Sequence, residues 1–150
     1  MDDWYSFISY NKESFVDKKN LITTFPRGGL PILTSLCHVF ESLDLPYCYM
    51  TNAQNINAFT AFGLSEEDGI YDNILFVDDC YDTGKAYDKF KKILSYNKDA
   101  TKNIFNFFMY KKKVIDIDGL SNYNVNNIDC KVIDTHTWIV FPWEREKNEI

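Results

Sequence analysis

This chain is short of histidine, of cysteine pairs, of basic charge and of long apolar runs, and each shortage removes a class of function. Its two histidines, His38 and His136, and four cysteines, Cys37, Cys48, Cys80 and Cys130, form no CxxC pair and no histidine cluster. That leaves too few ligands for a zinc site. The thiols read as free groups in a reducing compartment, mostly buried as small hydrophobes. No stretch approaches the roughly 18 uncharged apolar residues that span a bilayer. The N-terminus opens on Asp2 and Asp3, without the basic-then-apolar order of a secretory signal. A soluble, cytoplasmic protein with no membrane partner is the expectation. Sixteen basic against 22 acidic side chains give a net charge of −6. A nucleic-acid partner is therefore not expected, because neutralising phosphates takes a basic face. The GxxxxGK[ST] phosphate loop is absent, and no lysine or arginine stands between Arg27 and Lys85.

What is present suffices for one packed domain over residues 1–150. Apolar residues make up 45% and aromatics 17%, which excludes a disordered chain. At this length roughly 68–70% of the unfolded surface is buried without disulfide or metal staples. Leu21 to Phe25 reads as a strand ended by Pro26 and Gly28-Gly29. From Leu30 to about Leu43 the apolar positions recur at helical spacing, with Pro31 in the first turn. On that periodicity His38 falls on the apolar side, as a structural residue. Pro46 to Met50 is a second strand, and the uncharged run Ile74 to Val77 a third, buried on both faces. A helix follows Gly84 to about Tyr96. Ile104 to Met109 and Cys130 to Ile133 complete the strands. The segment before Leu21 fits a helix face through Trp4, Phe7 and Ile8, or a strand from Phe7 to Tyr10. Thr51 to Asp72 is longer than an ordinary connection, which suggests a lid. Asp118 to Asn127 reads as a surface turn region. Alternating strands and helices predict an α/β fold with a mainly parallel twisted sheet flanked by helices.

The chemistry concentrates in Ile74 to Ala86, ILFVDDCYDTGKA. A buried strand delivers Asp78 and Asp79 at its C-terminal end, where open parallel sheets bind ligands. The loop Asp82-Thr83-Gly84-Lys85 then opens a helix, whose free N–H groups, glycine, hydroxyl and lysine suit a phosphate. The paired carboxylates suit sugar hydroxyls or a magnesium ion. Taken alone, Asp-Thr-Gly fits a helix cap equally well. The whole run describes a site for a ribose carrying a 5′-phosphate.

VDDCYDTGKA resembles the ribose-5-phosphate motif of type I phosphoribosyltransferases, which use phosphoribosyl pyrophosphate and magnesium. Phe25-Pro26-Arg27-Gly28-Gly29-Leu30 resembles that family's first loop, and Trp138-Ile139-Val140-Phe141-Pro142-Trp143-Glu144 resembles the base-binding segment of its xanthine-guanine group. The resemblance runs from about residue 21 to 144. It implies the type I phosphoribosyltransferase fold with a small or trimmed hood, and transfer of ribose-5-phosphate from phosphoribosyl pyrophosphate to a 6-oxopurine (guanine, xanthine or hypoxanthine). A non-catalytic module binding phosphoribosyl pyrophosphate or a nucleotide is the alternative.

Residue by residue, the resemblance implies that Asp78 and Asp79 hold the ribose hydroxyls, directly or through Mg2+. Asp82, Thr83, Gly84, Lys85 and Ala86 form the 5′-phosphate loop, with Asp82 also the general base. Arg27, Gly28 and Gly29 receive pyrophosphate. Lys111, or a lysine next to it, meets the exocyclic oxygen of the purine. Trp138 stacks on the base, Ile139 accepts from an exocyclic amine through its carbonyl, and Glu144 closes the motif. The resemblance also implies a homodimer or homotetramer. Two departures stand out: Ala86 replaces the usual hydroxyl residue, and the candidate lid between Thr51 and Asp72 carries no cation.

Overall fold

In a computed structural model, the described residues are 2–26, 28–56, 71–97, 100–128 and 131–132. The uncharged apolar runs become β1 (Asn20–Thr23), β2 (Cys48–Met50), β3 (Asn73–Tyr81) and β4 (Asn103–Lys111), joined by β5 (Asn124–Ile128) and β6 (Lys131–Val132). Among the described residues every pairing is parallel, in the order β2-β1-β3-β4-β5. β6 pairs with the last residues of β4, and Asn103↔Asn124 and Tyr110↔Lys131 share one offset, so β5 and β6 follow β4 in a single register.

Among the described residues three α-helices cover the sheet: α1 (Asp2–Tyr10), α2 (Gly29–Ser42) and α3 (Lys85–Tyr96). Strand alternation divides the core into two layers. Ile22, Leu75, Val77, Phe105 and Phe107 pack with Trp4, Ile8, Leu33, Leu36 and Phe40 of α1 and α2. Leu21, Ile74, Phe76, Ile104 and Phe108 pack with Tyr87, Phe90, Ile93 and Leu94 of α3. β3 and β4, central in the order and covered on both faces, are for that reason apolar at successive positions. The segment before β1 resolves as a helix: Trp4 and Ile8, one turn apart, are both buried, and Trp4 meets Phe107 edge-on at 5.2 Å. No described helix is long and apolar enough to cross a membrane.

Several expectations need correction. β3 does not stop at Val77 but carries Asp78, Asp79 and Cys80 within the strand, because β4 pairs with it as far as Tyr81↔Lys111. The expected surface turns of 118–127 end in β5: its sequence NVNNI has only two apolar residues, which suffices at a sheet margin. Of the expected strand Cys130 to Ile133, Lys131–Val132 forms β6; Cys130 and Ile133 lie outside the described residues. His38 is exposed, 3.8 Å from Glu41, on the outer face of α2. Cys48 is exposed, and Cys37 and Cys80 are half-buried, so the thiols are less hidden than expected.

Candidate functional site

The order β2-β1-β3 reverses the direction of chain progress between β1 and β3, and such a switch point opens a crevice beyond the C-terminal strand ends. β1 and β3 are in register through Thr23↔Phe76, so the loop leaving β1 meets the end of β3. Thr24, fully buried, ties the two together: its Oγ1 donates to Val77 O at 2.7 Å, and its own carbonyl accepts from Ala53 N at 2.8 Å. The loop then turns into α2 at Gly28 and Gly29. A Cβ at Gly28 would collide with Oδ2 of Asp79, and one at Gly29 with the Thr24 hydroxyl, lying also 3.4 Å from Asp78 Oδ1. A side chain at either position would therefore force Asp79 or Thr24 to move, although the backbone itself has an ordinary right-handed φ of −63° at Gly28.

The two carboxylates are held by local bonds. Asp78 Oδ1 accepts from Asp79 N at 2.9 Å, and Asp79 Oδ1 accepts from Cys80 N at 2.7 Å. The two side chains also share a hydrogen bond when Asp78 holds its proton. Burial, and then the neighbouring Asp79 charge, push the Asp78 carboxyl well above the ordinary carboxylate range. Cys80 is pushed up to about 11 by burial and by the Asp79 and Asp82 charges, so its thiol stays protonated at neutral pH.

Beyond β3 the chain turns through Asp82, Thr83 and Gly84 into α3. Gly84 has φ +84°, and a Cβ there would lie 2.9 Å from the Tyr81 hydroxyl, so conformation and space both demand glycine. Thr83 Oγ1 accepts from Lys85 N at 3.4 Å, a long contact, and no N-cap side chain closes the helix start. The start of α2 likewise has no side-chain cap and no acid in its first turn. Two helix N-termini with free N–H groups therefore border the carboxylate pair, each suited to a phosphate.

Asp82 is exposed and paired with Lys112, whose ammonium sits 3.4 Å from Asp82 Oδ2. Lys112 N also donates to Tyr81 O at 2.9 Å, which fixes the end of β4 against the loop. Lys111, expected at the purine's exocyclic oxygen, ends β4 opposite Tyr81, and the next residue, Lys112, is the one that pairs with Asp82. Lys113 Cε lies 3.9 Å from the Gly84 Cβ position, and Lys89 stands 4.8 Å above the Phe25 ring.

The structure thus brings Gly28, Gly29, Asp78 and Asp79 into contact, and sets Asp82, Thr83, Gly84, Lys85 and Ala86 along the turn that follows β3. Arg27, Trp138, Ile139 and Glu144 lie outside the described residues, as does most of the candidate lid. Sequence reasoning missed Thr24, which gives no signal beyond a hydroxyl at a strand end, and the partnership of Lys112 with Asp82, which needs the β3–β4 register. As for magnesium, no described cluster of three or more His, Cys, Asp and Glu exists. The paired carboxylates nevertheless supply the hard oxygen donors that suit an ion taking its remaining ligands from water and phosphate.

A parallel sheet in this order, flanked by helices, with its crevice at the β1/β3 switch point, is the fold of type I phosphoribosyltransferases. No protein-family model and no curated protein matches the sequence. Solved structures do. A hypothetical protein from Neisseria gonorrhoeae with bound ppGpp matches at TM-score 0.57 and 14% identity, over 99% of this chain and 88% of that one. The Helicobacter pylori xanthine-guanine-hypoxanthine phosphoribosyltransferase matches at TM-score 0.54 and 16% identity, over 99% of this chain and 90% of that one. At these identities the likeness is one of fold.

Proposed function

We propose that residues 1–150 act as one phosphoribosyltransferase domain, moving ribose-5-phosphate from phosphoribosyl pyrophosphate to a 6-oxopurine such as guanine, xanthine or hypoxanthine. The observation that carries this reading is the contact of the Gly28-Gly29 loop with Asp78 and Asp79, because it joins a candidate pyrophosphate site to a candidate ribose site. The Helicobacter relative, named for that reaction, supports it.

In this reading the 5′-phosphate sits on the free N–H groups at the start of α3, beside Thr83 and Lys85. The ribose hydroxyls lie against Asp78 and Asp79, and the pyrophosphate lies at Arg27, Gly28 and the start of α2. A magnesium ion held by the Asp78 and Asp79 carboxylates would neutralise charge on the departing pyrophosphate. The base's ring nitrogen forms a bond to the anomeric carbon as the bond from that carbon to pyrophosphate oxygen breaks. Positive charge that grows on the sugar is stabilised by the carboxylates. Asp82 accepts the proton that the ring nitrogen sheds, and its Lys112 partner holds it at the mouth of the crevice. Lys111, Trp138, Ile139 and Glu144 are assigned to the base.

A second reading keeps the crevice and drops the chemistry: a module that binds phosphoribosyl pyrophosphate or a nucleotide without turning it over. The absence of any lysine or arginine from 28 to 84 favours it, since the lid then offers the leaving group no charge. So does the ppGpp held by the Neisseria relative. A turnover assay with magnesium, phosphoribosyl pyrophosphate and each of guanine, xanthine, hypoxanthine, adenine and uracil separates the two. Nucleotide and pyrophosphate formed together from an oxopurine support the enzyme; saturable binding with no product from any base supports the module.

A further inference from the structure

At the end of the sheet opposite the crevice, the first residues of four adjacent strands are all asparagine: Asn20, Asn73, Asn103 and Asn124, aligned in register. They begin a row of side chains on the α1 and α2 face, and a cleft of about 550 Å3 opens over the row between the end of α1 and β5. From Asn73 to Asp78 is five strand residues, so the cleft lies about 16 Å from the carboxylate pair.

The row is an incomplete hydrogen-bond ladder. Asn73 Nδ2 donates to Asn20 Oδ1 at 2.7 Å, and Asn124 Nδ2 donates to Asn103 Oδ1 at 3.1 Å. Between Asn73 and Asn103 the ladder breaks, because Asn103 Nδ2 turns to Asp72 O at 3.1 Å. Asn73 is only 2% exposed, with its amide protons committed to Asn20 Oδ1 and to Ser14 O. Its Oδ1 accepts no hydrogen bond from the described residues, although Asn73 lines the cleft. It keeps solvent access, so a donor seated in the cleft can reach it. The side chains of Asn126 and Lys18 also line the cleft, with no hydrogen bond or ion pair to the described residues. Phe7 and Phe105, 6.3 Å apart, supply the apolar part of the lining.

This lining has a definite chemistry. Among the described residues it contains no carboxylate, which disfavours a cation, and one lysine, which gives a polyanion a single partner. Carboxamides present a donor and an acceptor side by side, and their complement is a planar group with the same alternation. Aromatic rings beside them favour a flat ligand.

We propose that this cleft is a second ligand site, distinct from the crevice, that takes an uncharged nucleobase or nucleoside. The ligand's amino or imino group donates to Asn73 Oδ1, its other edge atoms pair with Asn124 and Asn126, and its ring lies against Phe7 or Phe105. The site does not depend on whether the crevice is catalytic.

The test is a titration of the full, nitrogen-15-labelled chain with adenosine, guanosine and uridine separately, with glucose and maltose as the saccharide arm, followed by nuclear magnetic resonance. The expected result is saturable shifts of the Asn124 and Asn126 side-chain amides and of the Phe7 and Asn103 backbone amides. They persist in Asp79→Asn, which disables the crevice, and the affinity falls about tenfold in Asn126→Ala through lost hydrogen bonds. Asn126 is exposed at the sheet margin, and Asn124→Ala serves as the second variant if the first perturbs folding. The proposal is overturned by an absence of saturable shifts at the asparagine row, by shifts confined to 78–85 that vanish in Asp79→Asn, by affinity unchanged in both asparagine variants, or by a response to the saccharides alone.

Discussion

Asp79 and Gly28 meet so closely that each defines what the other can be. A methyl group at Gly28 would drive the Asp79 carboxylate from its place, while Gly28 itself, at the start of α2, would tolerate the change in backbone terms. Gly28→Ala is therefore expected to weaken magnesium-phosphoribosyl pyrophosphate binding on the order of tenfold, with circular dichroism unchanged. Asp78 makes a different prediction, in pH. Its folded carboxyl holds its proton to higher pH than the unfolded one, by burial and by the Asp79 charge. The folded state then binds more protons than the unfolded state between the two values, so stability falls as pH rises through that window. The contribution is fully present below the ordinary carboxylate range and lost above the raised value. Asp78→Asn should flatten the profile in urea denaturation: close to the parent near about pH 4, and more stable than the parent in mildly alkaline solution.

At the scale of elements, the β3–turn–α3 unit is where sequence and structure agree most fully. Ile74 to Ala86 was legible because its parts are local: an uncharged run that must be buried, a glycine for a left-handed turn, and a helix start without a strong cap. Gly84 carries that turn at φ +84° against the Tyr81 hydroxyl. Gly84→Ala should cost about 1–2 kcal/mol of stability, read from urea midpoints, with Gly84→Asn costing less because asparagine tolerates that conformation better. What was not legible depends on pairing. The strand runs on through Asp78 to Tyr81 only because β4 accompanies it, and Lys112 reaches Asp82 because of the β3–β4 register. β5 escaped notice because its asparagines carry the signature of turns; only Val125 and Ile128 mark it as a strand. His38, next in sequence to the buried Val39, points away from the face of α2 that Leu36, Val39 and Phe40 share, and so reaches solvent.

Across the whole molecule, the two-layer core holds the crevice in shape, and Phe76 is its centre on the α3 face. Its ring stacks on Phe90 at 4.4 Å and meets Phe25, Tyr87 and Phe108. Phe76→Ala should cost about 3–5 kcal/mol in urea denaturation, a large part of a typical domain's stability. The α/β class and the parallel sheet followed from alternating apolar runs and helical stretches. The crevice did not: it arises from the strand order, which sets a loop near residue 28 beside a strand end near residue 79. Isothermal titration calorimetry of the chain with magnesium and phosphoribosyl pyrophosphate tests that juxtaposition most directly. Saturable one-to-one binding, lost in Asp79→Asn and weakened in Gly28→Ala while both variants stay folded, is the predicted result. Absence of binding by the folded parent chain, or affinity unchanged in both variants, would contradict the account.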